Sequence, residues 1–534
     1  MNPNGGETLP QDDTFTVRWR SAGVTGNVAL ELSTDGSSWA TLAGNETNDG
    51  VYSWTVSAAQ FAGGSYTLRV SSVDAPAIND VSDAPFNIAS SISIFYVNDG
   101  VLLGDEYTSA MGDDSNDGRT AATPKASLQA LLNAYDMKPG DLVLVDTGSY
   151  TLTTNLAIAA QDSGVTIRGA VNHASVLNRA NTNSGQYVVQ LAGVTDVTLQ
   201  HLVLTGGSYG LFVTDNGGGH RFVLEDSEVT GNTSYGIYVG NNVDDGRISG
   251  SVVHDNGNTG IYGYAPTRLQ ITGNHIYEQS IGIYLYSAGD EANDGALISG
   301  NRVHDTSTGI QVYYEGEVRN NEVWASSTGI SAQSVLVQGN TVWANTTGIG
   351  GSSNTILDNT AYGNTTGISV SSSTVAGNRL YDNTTGLYDG GSSLVRNNAL
   401  WDNSTAARLV GGYTGDDTQG FVNNTIVQTG GVAIRVDNSA NKVRLRDNII
   451  DLRDVVSTDA LGNEVRSGAT AITVAPDSEA GFSSDYNLFR LDTASVLANW
   501  ENRAFGSRPD WLYETGNDQN SRVVPGYTTP GLPK

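Results

Sequence analysis

The sequence has no cysteine. A disulfide framework and a thiolate metal site are therefore both excluded. Lysine is scarce, confined to Lys125, Lys138, Lys442 and Lys534, so arginine supplies most of the 27 basic residues that face 56 acidic ones. The formal charge of −29 leaves no broad basic surface to displace the counterions of a nucleic acid, which is not an expected partner. No apolar run approaches the length of a membrane span. The opening MNPNGGETLPQDDT has neither a charged leading stretch nor the apolar core of a signal peptide. Two expectations follow: a removed signal or, favoured by the linker-like end TTPGLPK, a segment of a larger chain.

What is present is glycine, 64 of them, with much Asn, Ser and Thr in 534 residues. That length exceeds one ordinary globular core, so several domains or a long repeat array are expected. The composition is common among bacterial secreted proteins, and a secreted or cell-surface location is expected. The acidity serves solubility, or places carboxylates where calcium would bind.

After a flexible lead over 1–12, residues 13–90 contain short alternating runs such as TFTVRWRS, VALELSTDG, YSWTVSA and SYTLRVSSV, broken by DG, NDG and GG turns. This predicts a small antiparallel sandwich. The order of these runs resembles immunoglobulin-like or fibronectin-like modules, with Trp19, Trp39 and Trp54 in the core.

The remainder repeats. ITGNHIYEQSIGIYLY, ISGNRVHDTSTGIQVY, VRNNEVWASSTGISAQ and VQGNTVWANTTGIGGS align, and a polar column runs Ser227, Ser251, Asn274, Asn301, Asn321, Asn340, Asn359, Asn378, Asn398, Asn424 and Asn448 at intervals of 19 to 27 residues. A second column, Gly236 to Gly386, is followed each time by Ile or Leu. Coils this short bury nothing alone and must stack. Stacking as parallel strands about 4.8 Å apart places like residues above one another, for a rod segment of roughly 48 Å over the ten steps. Asn amides would then form a ladder, and the glycines would give the backbone freedom for a corner.

These repeats resemble the right-handed parallel β-helix family of bacterial carbohydrate-active and surface proteins. YVNDG and GDDSNDGRTAATPKASLQALLNAYDMKPGDLVLVDTGSYTL are similar to the N-terminal cap of such lyases and glycosidases. The fold class is accordingly all-β: a β-helix over 91–490, capped at 96–150 with a helix near 125–135, and a C-terminal cap and tail over 491–534. The resemblance implies a polysaccharide partner for a monomeric chain.

Alternation from each Gly-Ile corner predicts outward Phe212, Tyr238, Tyr262, Tyr264, Tyr284, Tyr286, Gln311 and Tyr313, giving way to Ser331, Gln333, Gly350, Ser352, Ser369 and Ser371. A tyrosine patch suits a saccharide, whose C–H faces stack on rings. Long connections on the same coils bring Asp244, Asp245, Asp290, Glu291, Asp294, Glu315 and Glu317, with Arg247, Arg268, Arg302 and Arg319 nearby. Candidate catalytic groups are Asp290, Glu291, Glu315, Asp245 and Tyr284, the carboxylates as an acid–base pair on a glycosidic bond. Alternatively, a tyrosine or histidine base with an arginine neutralising a uronate would suit β-elimination. Tyr238, Tyr262, Tyr264, Tyr286, Tyr313, Arg268 and Arg302 are the candidate substrate contacts. The column His254, Tyr277, His304, Trp324, Trp343, Tyr362, Tyr381 and Trp401 reads as ring stacking at a corner, or else as a second platform. Asp113, Ser115 and Asp117 before Gly118 resemble the opening of a calcium loop, but Pro124 stands where an EF-hand needs Glu. The KVRLRDNIIDLRD segment would present Lys442, Arg444, Arg446 and Arg453 outward. The leading expectation is a secreted polysaccharide-degrading or -modifying enzyme, a glycoside hydrolase or polysaccharide lyase, acting in the tyrosine-lined groove; its rival is a non-catalytic stalk, adhesin or glycan-binding segment of a large surface protein.

Overall fold

The computed structural model describes residues 1–11, 13–57, 65–89, 92–214, 218–286, 295–416 and 418–525. The chain divides into two compact units, Met1–Ser93 and Ile94–Lys534.

Among its described residues the first unit has eight strands: β1 (Thr8–Pro10), β2 (Thr14–Arg18), β3 (Val28–Ser33), β4 (Ala40–Glu46), β5 (Val51–Thr55), β6 (Ser65–Ser72), β7 (Asn79–Val81) and β8 (Phe86–Ala89). One sheet runs β1-β8-β6-β3-β4 with β7 on β6, and the other is the β2-β5 pair. Alternation along each strand sends Val17, Leu30, Trp54, Leu68 and Phe86 into one shared core. In place of the expected flexible lead, residues of 1–11 are paired into the unit. β1 pairs parallel with β8, and Asn2 exchanges backbone hydrogen bonds with Arg18 at 2.8 and 3.0 Å. Trp39 also departs from expectation: it is half-buried, with the Arg69 guanidinium 4.2 Å above its ring.

The second unit is a three-sided solenoid. Its first sheet has 16 parallel strands, from Ile94–Val97 to Ser483–Asp485. The second and third sheets are joined into one 30-stranded network, because strands such as His275–Tyr286 and Arg302–Tyr313 run through the corner between them. Register is strict: Ile261, Ile283, Ile310, Ile330, Ile349 and Ile368 lie rung upon rung, all buried in the bore.

The Asn column forms the expected ladder. Asn321 donates its Nδ2 to Asn340 Oδ1 at 2.9 Å, Asn340 to Asn359 at 2.9 Å and Asn359 to Asn378 at 3.0 Å. The ladder continues from Asn448 to Asn487. The sequence hid that last member because an exposed hairpin, Val455–Thr458 with Glu464–Ser467, lengthens the coil. A second ladder one corner away links Asn345, Asn364, Asn383 and Asn403. Both ladders satisfy turn backbone that the rod has removed from water.

The glycine column has a different cause from the one expected. None of these glycines, Gly236 to Gly386, has a positive φ. A Cβ on Gly348 would lie 2.5 Å from the carbonyl oxygen of Gly367 on the next rung. The requirement is close approach, and the left-handed conformation falls instead on corner residues such as Asp305, Ala325 and Ala344. Gly348→Ala is expected to cost about 1–3 kcal/mol through overpacking, read as a lower urea midpoint with an unchanged slope.

The N-terminal end is closed by α1 (Leu128–Ala134), capped by Ser127, with Leu128, Leu131 and Leu132 buried. In the preceding loop the Lys125 ammonium donates to the carbonyls of Asp114 and Asn116 at 2.9 and 2.7 Å, so those oxygens already serve a cation. The solenoid does not stop near 490. Val496–Trp500 adds a parallel rung to Thr470–Val474, and Arg522–Pro525 adds one to Leu488–Leu491. Between them α2 (Arg508–Thr515) buries Trp511 completely, its Nε1 donating to Asp518 at 2.9 Å.

Candidate functional site: a tyrosine face on the third sheet

Every outward position expected on the third sheet is half-buried or exposed. Phe212, Tyr238, Tyr262 and Tyr284 occupy one column and Tyr264, Tyr286 and Tyr313 another, in register. The structure adds Tyr187, Tyr209, Tyr235 and Tyr314. The first three form a third column that continues as Thr259, Ile281 and Thr308. Reading the residue before each column glycine would have found Tyr235, and extending the column one coil back to Gly210 would have found Tyr209.

The rings are in contact but do not form one stack. Tyr238 lies parallel to Tyr262, 5.2 Å away at 22°. Tyr284 is turned 78° to Tyr262 and 76° to Tyr313. Tyr264 and Tyr286 are parallel at 9°, whereas Tyr314 meets Tyr286 at 81°. Tyr264 is 45% exposed and Tyr314 41%. Turned rings leave faces and edges open to a flat amphipathic ligand.

The column from His254 to Trp401 is different. Its neighbouring rings lie 4.3 to 5.9 Å apart at 3° to 21°. Each ring covers its neighbour's face, so this column stabilises the corner and offers no platform. Its two histidines are held by carboxylates: His254 Nδ1 is 2.8 Å from Asp255, and His304 Nδ1 is 2.7 Å from Asp305. His275 Nε2 lies 2.8 Å from His304 Nε2, and burial, with His304 and Arg302 beside it, holds His275 below the ordinary imidazole range.

Among the described residues, the candidate carboxylates do not converge. Asp290, Glu291 and Asp294 lie outside the described residues. Asp245 accepts a two-pronged ion pair from Arg268 at 2.7 and 2.9 Å, which holds it below the usual carboxylate range. Arg268 is correspondingly engaged rather than presented to a substrate. Glu315 sits in a turn with φ of 52°, on the loop that leaves the Gln311 strand. The Asp245 loop leaves the Tyr238 strand, three rungs earlier. Three rungs are about 14 Å along the rod, beyond the roughly 5 to 10 Å of a glycosidase pair. Glu317 is bound to Arg319 at 2.8 Å.

Arg302 is on the second sheet, away from the tyrosines. It pairs with Glu322 at 3.5 Å and lies over Trp324. Tyr284 is a poor base: burial first, then the hydroxyls of Tyr313 and Tyr286, raise its ionisation above the ordinary tyrosine value. Burial raises Tyr187 and Tyr209 in the same direction. Among the described residues, no three His, Asp or Glu side chains converge so as to hold a metal ion, and no helix is long and apolar enough to cross a membrane.

Residues 187–334 match the family described as right handed beta helix region, and residues 289–419 match the periplasmic copper-binding protein (NosD) family. No curated protein sequence matches the chain. Similar solved structures include the mannuronan C-5 epimerase AlgE6 A-module of Azotobacter vinelandii, 14% identical over 80% of this chain and 100% of that one, with a TM-score of 0.34. The family 28 exopolygalacturonase of Yersinia enterocolitica is 10% identical over 97% and 98% of the two chains, with a TM-score of 0.26. Tailspike gp49 of Acinetobacter baumannii bacteriophage Fri1, a capsular polysaccharide depolymerase, is 12% identical over 75% and 74%, with a TM-score of 0.31. Successive parallel rungs on three sheets give this chain the right-handed parallel β-helix fold, and residues 187–334 carry the family match of that description.

Proposed function

We propose that this β-helix binds a saccharide chain along its third face, with the sugar rings lying on the tyrosines between Tyr187 and Tyr314, at the cell surface or outside the cell. The observation that carries this reading is the contrast along one sheet. The same outward columns that hold tyrosine in the coils up to Tyr313 hold Ser and Gly for three rungs, at Ser331, Gly350 and Ser369, before a single Tyr388 follows. The coils that lack the rings still pair in full register, so the stacking itself does not demand them. Gln190, Gln311 and Gln333 border them with amide groups suited to sugar hydroxyls.

Binding is the better-supported reading, and turnover the lesser. The described carboxylates nearest the face are either neutralised or three rungs apart, so a hydrolytic step would fall to the connection carrying Asp290 and Glu291. Calorimetric titration with oligosaccharides, with product analysis of the same mixtures, tests both. Binding without products supports the glycan-binding rod. Products that vanish in Asp290→Asn or Glu291→Gln would replace it with an enzyme. No binding to any glycan would overturn the reading.

Because the shifted tyrosines ionise above their ordinary value of about 10, affinity is expected to stay level between about pH 6 and 9. Titrations across that interval check it, and a loss of affinity within it would contradict hydrogen bonding by neutral phenols.

A further inference from the structure

Resting on that reading, we infer that the saccharide taken by the tyrosine face is an uncharged one: a neutral glycan, not a uronate or sulfated polymer. The inference starts from what the face lacks. The third-sheet strands Leu156–Ala159, Tyr187–Ala192, Tyr209–Val213, Tyr235–Val239 and Thr259–Tyr264, the third-sheet parts 281–286 and 308–313 of the two long strands, and Thr328–Gln333, Thr347–Ser352 and Thr366–Ser371 contain no Asp, Glu, Lys or Arg. That is ten successive rungs without charge in a protein that carries 83 Asp, Glu, Lys and Arg residues.

The cations beside the face do not make good the lack. Arg221 is bound to Asp196 at 2.7 Å, Arg247 to Glu225 at 2.8 Å, Arg268 to Asp245 at 2.7 Å and Arg319 to Glu317 at 2.8 Å. Each guanidinium is thus answered by a carboxylate from the solenoid itself. The remaining guanidinium near the rings, Arg179, is buried and spent on the Leu152 carbonyl, Asn155 and Gln186. A polyanion approaching the tyrosines would therefore give up hydration of its carboxylates with no presented cation among the described residues to replace it, and would do so against a net charge of −29. A neutral sugar meets neither cost: its C–H faces lie on rings and its hydroxyls reach tyrosine O–H and glutamine amides.

Charge enters the third face at its far end, where Arg408 is bound to Asp437 at 2.8 Å and Arg435 lies one rung further on. Arg408 is five rungs past Gln311, about 24 Å along the rod, too far to serve a sugar on Tyr284.

The test is a matched pair of series: cello-, xylo- and mannohexaose against hexagalacturonate and hexamannuronate, titrated calorimetrically into the full chain and into Tyr262→Ala. The expected result is binding of a neutral hexaose whose Kd is level from about 0.05 to 0.5 M salt, lost tenfold or more in Tyr262→Ala. An acidic hexasaccharide binding as tightly as any neutral one would overturn the inference yet leave the tyrosine face as the binding site, provided Tyr262→Ala still weakens it. Binding of neither class, or binding indifferent to Tyr262→Ala, would overturn the saccharide reading and the inference with it.

Discussion

Asn340→Leu is expected to destabilise the centre of the solenoid by about 3 kcal/mol or more, the sum of two or three buried groups left unsatisfied at about 1–3 kcal/mol each. Asn340 Oδ1 accepts from both the backbone N–H and the side-chain amide of Asn321, each at 2.9 Å. Its own amide donates to Asn359 and to the Val318 carbonyl at 2.9 and 2.8 Å. A further bond runs from that amide to the Gln338 carbonyl at 3.2 Å. Leucine keeps the branched shape but removes all five contacts, and no water reaches a fully buried position to replace them. Stacked coils unfold in segments, so the loss should concentrate in the coils around it. Hydrogen exchange of the amides of Asn321, Thr341 and Thr360 should accelerate, and the urea midpoint should fall. Thr355→Ala, on an exposed first-sheet position, serves as the control and should stay within about 0.5 kcal/mol. Equal behaviour of the two variants would mean that the bore alone, not the ladder, holds the rungs.

The second large effect is on binding. Tyr262→Ala together with Tyr284→Ala is expected to weaken saccharide affinity by tenfold to a hundredfold, about 1.4 to 2.8 kcal/mol. These two rings occupy the middle of the patch, Tyr262 parallel to Tyr238 and Tyr284 turned nearly perpendicular to Tyr262. Removing both takes away stacking area and the bend between them. Stability should change little, because the rings are only half-buried. Ser369→Ala, in the same column on the plain stretch, should bind like the parent. If the double variant retains its affinity, the tyrosines are a surface feature and the ligand lies elsewhere.

The solenoid was legible because stacking converts sequence period into spatial columns. Equal positions recur on each rung, so the Asn ladder, the buried Ile column and the outward Tyr238, Tyr262, Tyr284 and Tyr313 could be read by alignment alone. Where a coil departs from the period, the reading failed. The hairpin between Val455 and Ser467 hid Asn487, and the longer coils around Tyr187 and Tyr209 hid their place beside Tyr238. The columns also said nothing of cause. Gly348 is required by the carbonyl of Gly367 one rung away, a contact between residues that no local conformational rule links.

The sequence by itself therefore determined the architecture and the composition of the candidate face, since both follow from which residues repeat and which way alternation points them. The tertiary structure decided the charge state of its surroundings. Whether Arg268 would greet a substrate or be held by Asp245, and whether Arg302 would stand with the tyrosines or on the next sheet over Trp324, depends on side chains reaching between rungs and on where each corner falls. Those geometries are set only when the coils stack. They turn a set of acidic and basic loops into a neutralised rim around an uncharged, tyrosine-lined face.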